Sequence, residues 1–99
     1  MPTIHEHFVI RLTDETEAAE ARTRARATFL ALPGVRGWRT HTSTATDRST
    51  LFMETFTFDD AAAAKAAGAR FSEMPETRAF LALIDETIVG QHFADITED

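Results

Sequence analysis

Phe52-Met53-Glu54-Thr55-Phe56-Thr57-Phe58-Asp59-Asp60-Ala61-Ala62-Ala63-Ala64 changes its periodicity halfway along. From Phe52 to Phe58 the residues alternate, with Phe52, Glu54, Phe56 and Phe58 on one face and Leu51, Met53, Thr55 and Thr57 on the other. That is the period of a β-strand. The phenylalanines mark the core side, and Glu54 stands in the middle of their row. Asp59-Asp60 then offers side-chain oxygens to cap a helix built from alanine, the residue with the highest helix propensity. A core strand of about residues 50–58 therefore feeds directly into a helix over Ala61–Ala69.

Before this strand, Arg36–Thr44 alternates as well. Trp38, Thr40, Thr42 and Thr44 lie on one face, and Gly37, Arg39, His41 and Ser43 on the other. The polar turn Ala45-Thr46-Asp47-Arg48-Ser49 joins the two strands as a hairpin. Upstream, Leu32-Pro33-Gly34-Val35 stops a helix, because Pro cannot continue one and Gly accepts positive φ. That helix starts at Thr13-Asp14-Glu15 and runs to about Leu32. Ala18, Ala21, Ala25, Phe29 and Leu32 form its buried stripe. Glu20 and Arg22, Arg24 and Arg26 read as a solvated helix face with Glu20–Arg24 pairing. Ile4–Leu12 is the first strand. Glu6, Phe8, Ile10 and Leu12 face the core, and His5, His7, Val9 and Arg11 face away.

Past Ala69 the helix is interrupted near Gly68 and Ser72-Glu73-Met74-Pro75. A second segment from about Pro75 to Glu86 turns Phe80, Leu83 and Ile84 inward. Thr87–Gly90 is expected as a connection and Gln91–Thr97 as the last strand, with His92, Ala94 and Ile96 opposite Phe93 and Asp95. The order βαββαβ with right-handed crossovers implies an α+β, ferredoxin-like fold. It has one four-stranded antiparallel sheet with helices on one face, in a single domain over residues 1–99. The bare sheet face calls for a second copy, so a homodimer through that face is expected.

Composition bounds the function. The 99 residues carry 10 Lys+Arg against 16 Asp+Glu, a net charge of −6, which argues against a nucleic-acid partner. There is no cysteine, so thiolate chemistry and disulfides are excluded. No apolar run approaches the about 20 residues of a membrane span. Met1–Glu6 lacks the basic and apolar regions of a signal peptide, so a cytoplasmic protein without membrane contact is expected. The glycines at 34, 37, 68 and 90 are isolated, and no phosphate-binding loop or nucleophile elbow is present.

Three local signals together resemble the dimeric α+β barrel superfamily, and within it the antibiotic biosynthesis monooxygenase-like branch. They are the junction Arg11-Leu12-Thr13-Asp14-Glu15, the helix stop Leu32-Pro33-Gly34-Val35, and the strand-to-helix run Phe52–Asp60. The resemblance spans nearly the whole chain. It implies a homodimer with a pocket between each sheet and its own helices, taking an aromatic or polyketide-like small molecule. It also implies cofactor-free monooxygenation, with polyketide cyclisation or isomerisation, or a non-catalytic ligand-binding or stress-related dimer, as alternatives. The chain departs from the family patterns. The aromatic-hydroxylating members carry Asn and Trp on the third strand, near the places held here by Glu54 and Phe58. The cyclases use Tyr and His, and this chain has no Tyr. The pattern of the haem-degrading members finds no match, so neither a cofactor nor a metal is expected.

Glu54, His92 and Glu6 are the candidate catalytic residues. Burial of Glu54 among aromatics removes water and favours its protonated form, which would make it a general base near neutral pH. The alternative is that Glu54 pairs with an arginine or caps a backbone group. Glu6 belongs to the same face, and antiparallel pairing of the first and third strands brings it within about two registers of Glu54; a solvated strand end is the alternative. His92 lies on a strand flanking the first and faces either pocket or interface. His5 and His7 share one strand face, where interface contacts explain them better than a metal. Trp38, Phe52, Phe56, Phe58, Phe71, Phe80 and Met74 are core residues that could also line a substrate pocket.

Overall fold

The computed structural model describes residues 2–96. Its elements are β1 (Ile4–Leu12), α1 (Glu15–Leu30), β2 (Val35–Thr42), β3 (Phe52–Phe58), α2 (Ala61–Phe71), α3 (Pro75–Leu81) and β4 (Ile84–Ala94). The strands form one antiparallel sheet in the order β2-β3-β1-β4, the arrangement expected from the alternation of strands and helices.

Local chemistry sets the boundaries. The Asp14 carboxylate accepts from the Glu17 amide and caps α1, while Asp60 caps α2 through the Ala63 amide. After α1, Gly34 takes a φ of +78°, a conformation that favours glycine, and a Cβ there would collide with Ala63 on α2. Thr77 is fully buried at the junction of α2 and α3. Its hydroxyl donates to the Phe71 carbonyl and lies 3.1 Å from that of Met74, so the break between the helices leaves no orphan group there.

Register fixes the faces. Glu6 lies opposite Phe56 and Phe8 opposite Glu54, while Trp38 and Thr40 of β2 face Phe56 and Glu54. These inward residues meet the α1 stripe Ala18, Ala21, Ala25 and Phe29, which is buried as its spacing predicts. The alanines let α1 pack closely on α3. Phe29 makes edge-to-face contacts with Trp38, Phe56, Phe58 and Phe71 at 5.0–6.2 Å between ring centroids.

The C-terminal third departs from expectation. The last helix ends at Leu81, not Glu86, and β4 begins at Ile84, not Gln91. Thr87–Gly90 is strand rather than connection. Two register shifts against β1, at Val9/Ile10 and Arg11/Leu12, insert extra residues and break the alternation that a sequence pattern needs. Thr97, the last residue of the expected strand, lies outside the described residues. On the outer sheet face His7 bonds Thr55 at 2.9 Å, and Phe93 of β4 remains 43% exposed. Among the described residues no helix is long and apolar enough to cross a membrane.

Candidate active site

Glu54 is 1% exposed, and every partner it needs comes from α1 or β2. Its Oε1 accepts from Trp38 Nε1 at 2.8 Å, Thr40 Oγ1 at 2.7 Å and Arg22 Nε at 3.0 Å. Its Oε2 accepts from Arg22 Nη2 at 2.7 Å and lies 3.2 Å from Nε. A carboxylate has about four lone-pair sites, and these donors fill them. The arginine pairing held as an alternative at the sequence level is the observed one. Arg22 is accordingly corrected from solvated helix face to buried partner. Its side chain is 14% exposed, and its guanidinium lies 5.2 Å from the Phe80 ring centroid and 5.8 Å from that of Phe52. The spacing of Arg22, Arg24 and Arg26 could not single out the one that turns inward.

A cavity of about 240 Å³ opens between the sheet and the α2–α3 segment. Ile10, Phe29, Phe56, Phe80 and Glu54 form its buried floor, and Gly68, Ser72, Leu81 and Thr87 form an exposed rim. Phe8 lies against it over Gly90, whose missing Cβ leaves room for the ring. Of the expected pocket-lining residues, Phe56, Phe71 and Phe80 reach this space. Phe52, Phe58 and Met74 pack around the core instead, and Trp38 lies behind Glu54 as its donor. Phe8 and Ile84 are lining residues that sequence reasoning missed. The inward face of β1 was the signal for Phe8. Ile84 needed the true start of β4.

Glu6 stands at one side of the cavity with its side chain 18% exposed. Burial raises its pKa above the ordinary carboxylate value, while the His92 imidazole opposes that rise. His92 Nε2 lies 3.3 Å from Glu6 Oε2, because the register places the two residues opposite each other on the inward face. The structure thus brings Glu6 and His92 together and sets Glu6 beside the same cavity as Glu54. Glu6 has one polar neighbour where Glu54 has three. His5 lies on the outer face, 3.1 Å from Asp95, and no cluster of metal-ligating side chains occurs among the described residues.

No protein-family model matches the sequence, and no curated protein matches it. Solved structures do. The chain is similar to SnoaB, a cofactor-independent oxygenase from Streptomyces nogalater, at 17% identity and a TM-score of 0.69, covering 100% of this chain and 96% of that one. It is similar to a candidate antibiotic biosynthesis monooxygenase from Bordetella bronchiseptica at 16% identity and a TM-score of 0.76, over 98% and 100% of the two chains. A dimeric ferredoxin-like protein of unknown function from Bacteroides fragilis matches at 12% identity and a TM-score of 0.59, over 94% and 96%. These likenesses establish the ferredoxin-like fold.

Proposed function

We propose that the protein is a cofactor-free oxygenase-like enzyme that takes a proton from a flat aromatic or polyketide-like substrate, with Glu6 as the base. The observation that carries this reading is a carboxyl with raised proton affinity, poorly partnered, on the wall of an apolar cavity. Such a group is a stronger base than an ordinary exposed carboxylate and stands where a bound substrate could meet it. The saturated Glu54 acts as a fixed anion that holds the floor. His92, 3.3 Å away, holds Glu6 in place.

Abstraction from an activated ring CH₂ leaves a carbanion delocalised over the aromatic system. The phenylalanine walls exclude water from it. Molecular oxygen, as co-reactant, adds at that carbon to give a peroxide. Loss of water then leaves a carbonyl, so that CH₂ and O₂ become C=O and H₂O, and the proton first taken leaves in the water. The cavity is smaller than ligand pockets of about 300 Å³ and upward, which favours a compact, flat substrate. The fold likeness to SnoaB supports the oxygenase reading over the cyclase one.

The outer sheet face carries Phe93 and the half-buried Val9, Met53 and Val89. We assign it to a second copy, in a cytoplasmic homodimer. The dimeric relative of the same fold supports this, and sedimentation at micromolar concentration tests it. For the reaction, oxygen uptake is followed with an anthrone probe. Glu6→Gln should lower the rate about 100-fold or more while the fold is retained by circular dichroism. An unchanged rate removes Glu6 from the mechanism. Anthrone binding without oxygen uptake in the unaltered protein favours the ligand-binding reading.

A further inference from the structure

A second cleft, of about 710 Å³, lies on the other side of the Arg22–Glu54 pair, between α1 and the edge strand β2. Arg22, Arg26, Arg39 and His41 line it, together with Thr23 and Thr40, and no acidic side chain does. We propose that this cleft binds the oxyanion group, phosphate or carboxylate, of a small molecule.

The charge pattern carries the inference. The chain has a net charge of −6, yet this concavity gathers three of its arginines. Arg11, Arg22, Arg36, Arg48 and Arg70 each meet an acidic partner. Arg26 and Arg39, like Arg24 and Arg78 outside the cleft, form no ion pair or side-chain hydrogen bond among the described residues. They are exposed, one turn beyond Arg22 on α1 and one residue from Trp38 on β2. Arg22 spends Nε and Nη2 on Glu54, which leaves Nη1 without a partner among the described residues. Guanidinium groups bind oxyanions through paired N–H donors. Arg22 is fixed by Glu54 from behind, so its share of the site is preorganised. Arg26 would reach the ligand from α1, and Arg39, on the outward set of the edge strand β2, would reach it around the sheet edge.

Backbone NMR shifts during titration with inorganic phosphate, and separately with benzoate, test this. Sodium chloride at equal ionic strength is the control. Saturable shifts at Thr23, Ala27 and Thr40, with a dissociation constant of about 1 mM or tighter, are expected. Arg26→Gln with Arg39→Gln should weaken binding about 10-fold or more and leave the melting temperature unchanged. Arg24→Gln, outside the cleft, should leave binding intact. Tighter binding of phosphate assigns a phosphoryl ligand, and tighter binding of benzoate a carboxylate. Shifts no larger than those in sodium chloride, or binding that survives the double substitution, overturn the proposal.

Discussion

Replacing Arg22 with Met should destabilise the protein far more than an ordinary surface change. Glu54 is 1% exposed and the Arg22 side chain 14% exposed, so the pair is largely buried, and among the described residues Arg22 supplies the only positive charge in contact with the carboxylate. Without it the carboxylate keeps two neutral donors, Trp38 and Thr40. Removing one partner of a buried pair costs about 3–5 kcal/mol, a large share of the about 5–15 kcal/mol that holds a small domain together. With a urea slope of about 1.5 kcal/mol/M, the unfolding midpoint should fall by roughly 2–3 M. Adding Glu54→Gln to Arg22→Met removes the orphaned charge but keeps an oxygen for Trp38 and Thr40. The double variant should return to within about 1 kcal/mol of the parent. Urea unfolding followed by Trp38 fluorescence at one fixed protein concentration measures all four members of the cycle. A loss below about 1 kcal/mol for Arg22→Met, or a double variant as weak as the sum of the singles, would refute the view that this charge is buried and depends on its partner.

Glu6 has a raised pKa in the folded state, so the folded protein binds its proton more tightly than the unfolded chain. Its contribution is complete below the unfolded carboxylate value and is lost as pH rises through the folded one. Glu6→Gln should therefore help stability more at pH 7 than at pH 4, as read from urea midpoints at both values; equal effects contradict the assignment. Gly34→Ala meets both a left-handed φ and the Ala63 side chain. It should cost about 2–3 kcal/mol and lower the melting temperature by roughly 10 °C or more; a shift within error would refute the clash. Gly90→Ala would bring a Cβ to 2.9 Å from Phe8 Cε1. The ring should be pushed toward the cavity, weakening anthrone binding at a stability cost of about 1–3 kcal/mol; unaltered binding would show that Phe8 does not border the ligand.

Elements with one buried face announce themselves. The alternation of β1 and β3 gave their inward sets directly, and the alanine spacing of α1 gave its buried stripe. β4 was half hidden, because an exposed edge strand with two register shifts has no hydrophobic rhythm to read. At the site, strand parity put Glu54 and Glu6 on the inward face and left His92 between pocket and interface. Their relations were not legible, since pairing depends on which arginine of α1 points at β3, a matter of helix rotation and packing. Without that information the aromatic row around Glu54 spoke for an isolated acid. Arg22 supplies what the row conceals.

β1 is an inner strand, and its two sets of side chains serve different neighbourhoods one residue apart: Glu6 and Phe8 border the cavity, while His7 and Val9 look outward. In the twinned assembly we propose, the outward sets of both copies meet, and each hollow lies just across the joined sheets from the other. A guest that nudges Phe8 displaces the same backbone that seats the neighbouring subunit. Titration curves of the paired protein that depart from those of independent sites would show that occupancy of one chamber is felt in its twin.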